Sequence, residues 1–194
     1  MKVTLPMSPF DLHPTLRGFC LTIILIEGVL ITADAFNLTI RAEAIEALGF
    51  TLNWRNEPWR IASHVFVHGD AWHMNFNIIP ILLFGDALAL LRGIKETTFI
   101  AIMSILAGIA GFAIFGIHPA MIGASAVSFG LAAACLVHWP NLTNVHRLLA
   151  VALGATVLPS SIWWTGIAWE AHIAAAVVGA GSAAVLRKLS PSEH

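Results

Sequence analysis

The sequence predicts an all-α protein that crosses a membrane six times, and its composition and its long apolar stretches both support this prediction. Of the 194 residues, 58% are hydrophobic and only 11% are charged, and the mean hydropathy is +0.81. This balance excludes an ordinary soluble domain and indicates a polytopic membrane protein. The net charge is −1, which gives no reason to expect a nucleic-acid partner.

Six apolar stretches are read as spans, because a helix needs about 20 residues to cross a bilayer. The spans run from Leu16 to Phe36, Ala71 to Leu91, Thr97 to Ile117, Ser125 to Trp139, His146 to Ile162 and Gly166 to Leu186. We expect a cytoplasmic N-terminal tail at 1–15, one six-helix domain at 16–188 and a C-terminal tail at 189–194.

The placement of lysine and arginine predicts the orientation, because positive residues concentrate in cytoplasmic loops. With the N-terminus inside, that side holds Lys2, Arg17, Arg92, Lys95, Arg147, Arg187 and Lys188. The outside holds only Arg41, Arg55 and Arg60. We therefore expect both termini in the cytoplasm. Six bare spans with short tails favour a bacterial inner membrane.

The outer loop from Asn37 to Asp70 is long for a simple connection. One helical face of it would carry Ile40, Ile45 and Leu48, and the opposite face Arg41, Glu43 and Glu46. This pattern predicts a short helix lying in the plane of the membrane interface. A partly ordered hydrophilic loop is the alternative.

Four polar side chains from three predicted spans reach one level of the membrane. Ser125 begins the short fourth span, and counting back from its inner end places it about 9 Å below the outer edge of the core. His172 and Asn77 each lie about six residues into their spans, which is the same depth. His73 lies one turn above Asn77. The segment from His118 to Ala124 must then enter the protein as irregular backbone.

These residue types together suggest nucleophilic catalysis. A serine hydroxyl becomes a nucleophile when a base takes its proton, and neutral His172 is a suitable base for Ser125. The resulting oxyanion needs donors, and the Asn77 amide, the His73 imidazole and the Ser125 backbone N–H are candidates. No acidic residue is well placed to orient His172, so the sequence predicts a dyad.

Three motifs in this order resemble the rhomboid family of intramembrane serine proteases. The first is Trp59-Arg60, followed by His64, His68, His73 and Asn77. The second is Gly123-Ala124-Ser125, followed by Phe129-Gly130-Leu131. The third is Ala171-His172, followed by Gly179. Each motif is weak alone, but their order within a six-span chain is specific.

The resemblance implies that Ser125 is the nucleophile, that His172 is the base, and that His73, Asn77 and the Ser125 amide form the oxyanion hole. Supporting positions follow as well: Gly123 in the nucleophile motif, Phe129 stacked on the histidine, Trp59 and Arg60 as a structural loop motif, and His68 as a structural partner between loop and helix. Span five and the loop from Pro159 to Ala168 would form a gate and cap.

The family cleaves transmembrane helices of other proteins near their outer ends. The resemblance therefore implies transmembrane protein substrates and membrane lipids as partners, with no cofactor and no metal. The oligomeric state is left open. Two alternatives remain: a non-catalytic relative that binds transmembrane clients, and a transporter or metal-handling protein that uses His64, His68 and His73.

Several positions depart from the family pattern. Ala126 and Ala175 stand where glycine is common, and the added methyl group of Ala126 is expected to crowd helix packing. Ala89 replaces a glutamate, for which Asp86 one turn earlier is a possible substitute. Glu27 and Asp34 in the first span are interpreted as structural, with Glu27 protonated or facing another helix. We read Cys20 and Cys135 as small buried hydrophobes.

Overall fold

The computed structural model describes residues 12–36, 39–157 and 168–189, and the regular elements in this part are helices. The helices are α1 (Pro14–Ala35), α2 (Ile40–Leu48), α3 (Arg60–Ser63), α4 (Ala71–Arg92), α5 (Ile94–Phe115), α6 (Ser125–Leu136), α7 (Asn144–Ala152) and α8 (Trp169–Leu189). Short 3-10 turns cover His64–Phe66 and Trp139–Asn141, and a π-helical turn, Leu153–Val157, follows α7.

Four helices, α1, α4, α5 and α8, are long and apolar enough to cross a membrane. The chain is therefore an integral, multi-pass membrane protein. These helices correspond to the first, second, third and sixth predicted spans. The predicted fifth span begins as α7, but its last residues, 158–162, lie outside the described residues, as does most of the predicted cap loop. The count of six spans stays a prediction.

The fourth predicted span is the short helix α6, which occupies the centre of the bundle. Ten of its 12 residues are buried, and it packs against α4, α5 and α8. Because α6 is enclosed by protein on several sides, it does not need the length of a lipid-facing helix. Its closest neighbour is α8, where the backbones of Gly130 and Gly179 touch: a Cβ added to Gly179 would lie 2.7 Å from Cα of Gly130.

A helix forms in the outer loop where the sequence predicts one, and the Trp59-Arg60 motif holds its C-terminal end. The last carbonyls of a helix have no partner within it. Arg60 donates from Nη1 to the carbonyls of Glu46 and Gly49, at 2.6 and 2.7 Å. The indole N–H of Trp59 donates to the Ala47 carbonyl at 3.1 Å. The motif thus fixes α2 to the segment that leads into α4, while the angle of α2 to the membrane stays a prediction.

The segment between α5 and α6 has no regular helix and is tied to the outer loop. Phe50 and Met121 form an isolated antiparallel bridge, with N–O distances of 2.9 and 2.8 Å in the two directions. The Gly123 amide donates to the His64 carbonyl at 2.8 Å. These bonds satisfy backbone groups that would otherwise be buried without partners, and they bring the chain to the start of α6.

Candidate active site

The structure brings Ser125 and His172 together. Ser125 is the first residue of α6, and His172 lies in the first turn of α8. Nε2 of His172 is 2.9 Å from Oγ of Ser125, which is hydrogen-bonding distance. Both residues are buried, with exposed fractions of 9% and 6%. The close contact of Gly130 with Gly179 farther along the two helices makes this approach possible.

Phe129 stacks on the ring of His172. The two ring centroids are 4.4 Å apart and the planes are inclined by 14°. Phe129 lies four residues after Ser125 and therefore on the same face of α6. The contact restricts the plane of the imidazole, and in this plane Nε2 faces the serine hydroxyl.

His73 and Asn77 lie against the backbone just before Ser125. Gly123 has φ +91°, a conformation that favours glycine. A Cβ added there would lie 2.8 Å from Nε2 of His73 and 3.3 Å from Nδ2 of Asn77. One N–H of the Asn77 amide donates to the His73 carbonyl at 2.9 Å, which leaves the second N–H of that group for another acceptor.

The backbone N–H of Ser125 completes this group of donors. As the first residue of α6, Ser125 belongs to the turn whose N–H groups have no carbonyl partner within the helix. The preceding residue, Ala124, carries no side chain that could cap the helix. The helix dipole adds partial positive charge at the same point. The start of α6 therefore suits a developing negative charge.

His68 holds the turn that precedes the serine. The Ala124 amide donates to Nε2 of His68 at 3.3 Å. His68 lies outside the spanning helices and is fully buried, and burial lowers its pKa to about 3, with smaller contributions from the nearby His73 and Arg41. The ring is therefore neutral at ordinary pH and able to accept this bond. The sequence predicts a structural partner here, and the structure identifies that partner as the Ala124 amide.

The methyl group of Ala126 is accommodated by a glycine on α5. Ala126 is buried, and a Cβ added to Gly108 would lie only 2.9 Å from the Cβ of Ala126. The expected crowding does not occur, because the absence of a side chain at Gly108 leaves space for this methyl group. Ala175 is fully buried, and Asp86 is buried near the C-terminal end of α4.

Two residues near the site were missed by the sequence reasoning. The Asp70 side chain accepts from the His73 amide at 2.8 Å and caps α4. An aspartate directly before an apolar helix is a recognisable capping signal. The Ser128 hydroxyl donates to the Asn77 carbonyl at 2.9 Å and so links α6 to α4. No local pattern indicates that contact. Within residues 12–36, 39–157 and 168–189, no group of three His, Cys, Asp or Glu side chains could hold a metal ion.

Fold and site together define a multi-pass membrane protein that carries a buried serine–histidine pair. The family model of the Rhomboid domain matches residues 55–189, which is more than half of the chain. The protein therefore belongs to the rhomboid family, which is part of the intramembrane protease superfamily. The resemblance noted in the sequence is confirmed. The match includes α3 to α8, whereas α1 and α2 precede it.

Proposed function

We propose that the protein is an intramembrane serine endopeptidase that hydrolyses peptide bonds in or near the transmembrane helices of other membrane proteins. The observation that carries this proposal is the 2.9 Å contact between Oγ of Ser125 and Nε2 of His172. The two groups come from separate helices that pack tightly in the centre of the bundle. Membership of the rhomboid family supports the same reaction.

In the first half of the reaction, His172 acts as a general base. Its neutral ring accepts the hydroxyl proton of Ser125 while Oγ attacks the carbonyl carbon of the scissile peptide. The tetrahedral intermediate then collapses, and the imidazolium gives its proton to the leaving amine. The products of this half are an acyl-serine and a peptide fragment with a free amino end. Because Phe129 stacks on the ring, the imidazole needs no acidic residue to hold its plane, which is consistent with a dyad.

The oxyanion that forms in both halves of the reaction is stabilised by the donors around Gly123. These are the second N–H of the Asn77 amide, the His73 imidazole and the Ser125 backbone N–H. Such donors act strongly where water is excluded and where they are already in position. In the second half, water attacks the acyl-serine with His172 as base, and the serine is regenerated.

The proposal includes the arrangement in the membrane. The six-span topology is inferred from the apolar stretches, and the cytoplasmic termini from the placement of lysine and arginine. The catalytic pair then lies below the outer surface, where water reaches it through an opening on that side. A substrate helix enters from the lipid phase, beside the fifth span.

Cleavage of a model transmembrane substrate in proteoliposomes tests the proposal. The Ser125→Ala variant should lose activity by a factor on the order of 10⁶ if the dyad acts as one unit. Ser104→Ala is the matched control, because Ser104 is also a buried serine, and its hydroxyl donates to its own helix at the Ile100 carbonyl. We expect it to retain activity within about tenfold of wild type, since a helix back-bond contributes little. Equal cleavage by wild type and Ser125→Ala would refute the proposal, as would a wild-type protein that binds the substrate helix without cutting it.

A further inference from the structure

One guanidinium group joins three parts of the chain that lie beside the candidate site. Arg41, on α2, contacts Glu27 and Asp34 of α1, with N–O distances of 2.8 Å from Nη2 and 2.6 Å from Nε. Its Nη1 donates to the main-chain carbonyl of His68 at 2.9 Å. The sequence pattern puts Arg41 on the polar face of α2, but its side chain is only 13% exposed and is directed into the protein.

This arrangement is costly, which argues that it serves more than stability. Glu27 lies within a spanning helix and is fully buried. Ionised side chains at such a depth lose their hydration, and well-packed apolar residues are often at least as stable as a buried ion pair. What the charges provide is geometry, because the planar guanidinium donates in fixed directions to Asp34 and to the His68 carbonyl while it lies in ion-pair contact with Glu27.

The third contact of Arg41 leads directly to the start of α6. His68 accepts from Arg41 through its main-chain carbonyl, and its ring accepts from the amide of Ala124, the residue before Ser125. Two hydrogen bonds and one histidine therefore connect the ion pairs between α1 and α2 to the peptide that precedes the serine. Since His68 cannot shift without lengthening one of these bonds, the position of the guanidinium limits that of the turn.

We propose that Arg41 is a positioning residue, which holds His68 against Ala124 and thereby sets the position of the Ser125 backbone N–H, the main-chain donor to the oxyanion. This inference rests on the proposed function. Glu27, Asp34 and Arg41 all precede residue 55, where the match to the family model begins. The contacts of Arg41 with Glu27 and Asp34 are thus a contribution of the first two helices to the site that the later helices form.

The test compares Arg41→Lys with Arg92→Lys. Lysine keeps the charge beside Glu27 but cannot donate from a planar fork to Asp34 and the His68 carbonyl at once. Arg92 is the matched control, because it is also buried and also joins a carboxylate, Glu96, to a carbonyl, that of Leu186. It lies at the opposite end of α4, about 22 Å along the helix from Asn77.

For Arg41→Lys we expect kcat on a transmembrane substrate to fall about tenfold with KM within twofold of wild type, because only the transition state uses the oxyanion donors. Amide hydrogen exchange in residues 120–126 should accelerate about fivefold, since the Ala124 bond loosens. For Arg92→Lys both quantities should match wild type. Unchanged kcat and exchange in Arg41→Lys would overturn the inference. It would also be overturned if both variants lost kcat equally and in proportion to their fall in Tm.

Asp34→Asn provides a second variant if Arg41→Lys does not fold, because the Asp34 carboxylate is 44% exposed and its loss is tolerable. It should lower kcat about threefold without a change in KM or Tm, and an unchanged kcat would overturn the inference. A wild-type protein without cleavage activity would refute the proposed function instead. The exchange measurement would still decide whether Arg41 holds the turn.

Discussion

Replacing Gly179 with alanine should separate the catalytic pair without touching it. The new Cβ would lie 2.7 Å from Cα of Gly130, whereas ordinary contact begins at 3.4 Å. The carbonyl oxygen of Gly130 lies nearer still, so helices α6 and α8 must part by at least about 0.7 Å. If they move apart as rigid bodies along the line of the catalytic contact, the 2.9 Å bond between Ser125 and His172 lengthens to about 3.6 Å or more, beyond hydrogen-bonding distance.

A displacement of this size is expected to lower kcat by about 10- to 100-fold. Overpacking should also cost about 1–3 kcal/mol of stability, seen as a lower Tm. Both are measured on purified protein in detergent, by cleavage of a transmembrane substrate and by thermal unfolding. Gly181→Ala is the control, because a Cβ added there meets nothing within 4 Å. That variant should keep its activity and gain up to about 1 kcal/mol from helix propensity. A Gly179→Ala enzyme with the rate and Tm of wild type would show that the reasoning is wrong.

Two further predictions concern the donors and the loop beside them. Asn77→Ala should lower kcat by about 10²–10³-fold through loss of an oxyanion donor. Asn75 is an exposed neighbour whose amide bonds to its own helix, so Asn75→Ala should leave kcat unchanged. A loss below about threefold in Asn77→Ala would remove Asn77 from that role. Acid should destabilise the protein through His68. Its pKa is about 3 when folded against an ordinary value of 6.5, so its contribution is fully present above pH 6.5 and is lost as the pH falls toward 3. His68→Gln keeps an acceptor for the Ala124 amide but does not titrate. Its Tm should therefore fall less than that of wild type between pH 7 and pH 5, and parallel curves would contradict the prediction.

The long elements and the site were predictable from the sequence because both depend on local signals. Apolar runs of bilayer length gave α1, α4, α5 and α8. Counting residues from the ends of the spans placed Ser125 and His172 at one depth, and the structure puts them within a hydrogen bond of each other. The contact agrees with the count, which uses the constant helical rise, while the depth of the pair in the membrane stays a prediction.

Contacts between distant segments were not predictable in the same way. Periodicity assigns a charged residue to the surface, so Arg41 was placed on the polar face of α2; its burial depends on Glu27, which lies on another helix at a spacing that no local pattern encodes. The space for Ala126 is similarly provided by Gly108 on α5, and the partner of His68 is a backbone amide 56 residues away. Such pairings depend on how helices pack, which a single sequence does not show.

Labelling of Ser125 by a fluorophosphonate tests the central claim most directly, because that reagent reacts preferentially with serines activated by a neighbouring base. The purified protein in detergent would be treated with the probe, digested and mapped by mass spectrometry, alongside His172→Ala. The account predicts a stable adduct on Ser125 in wild type and almost none in the variant. Full labelling of Ser125 in His172→Ala, or no labelling of folded wild-type protein, would contradict the assignment of these two residues as nucleophile and base.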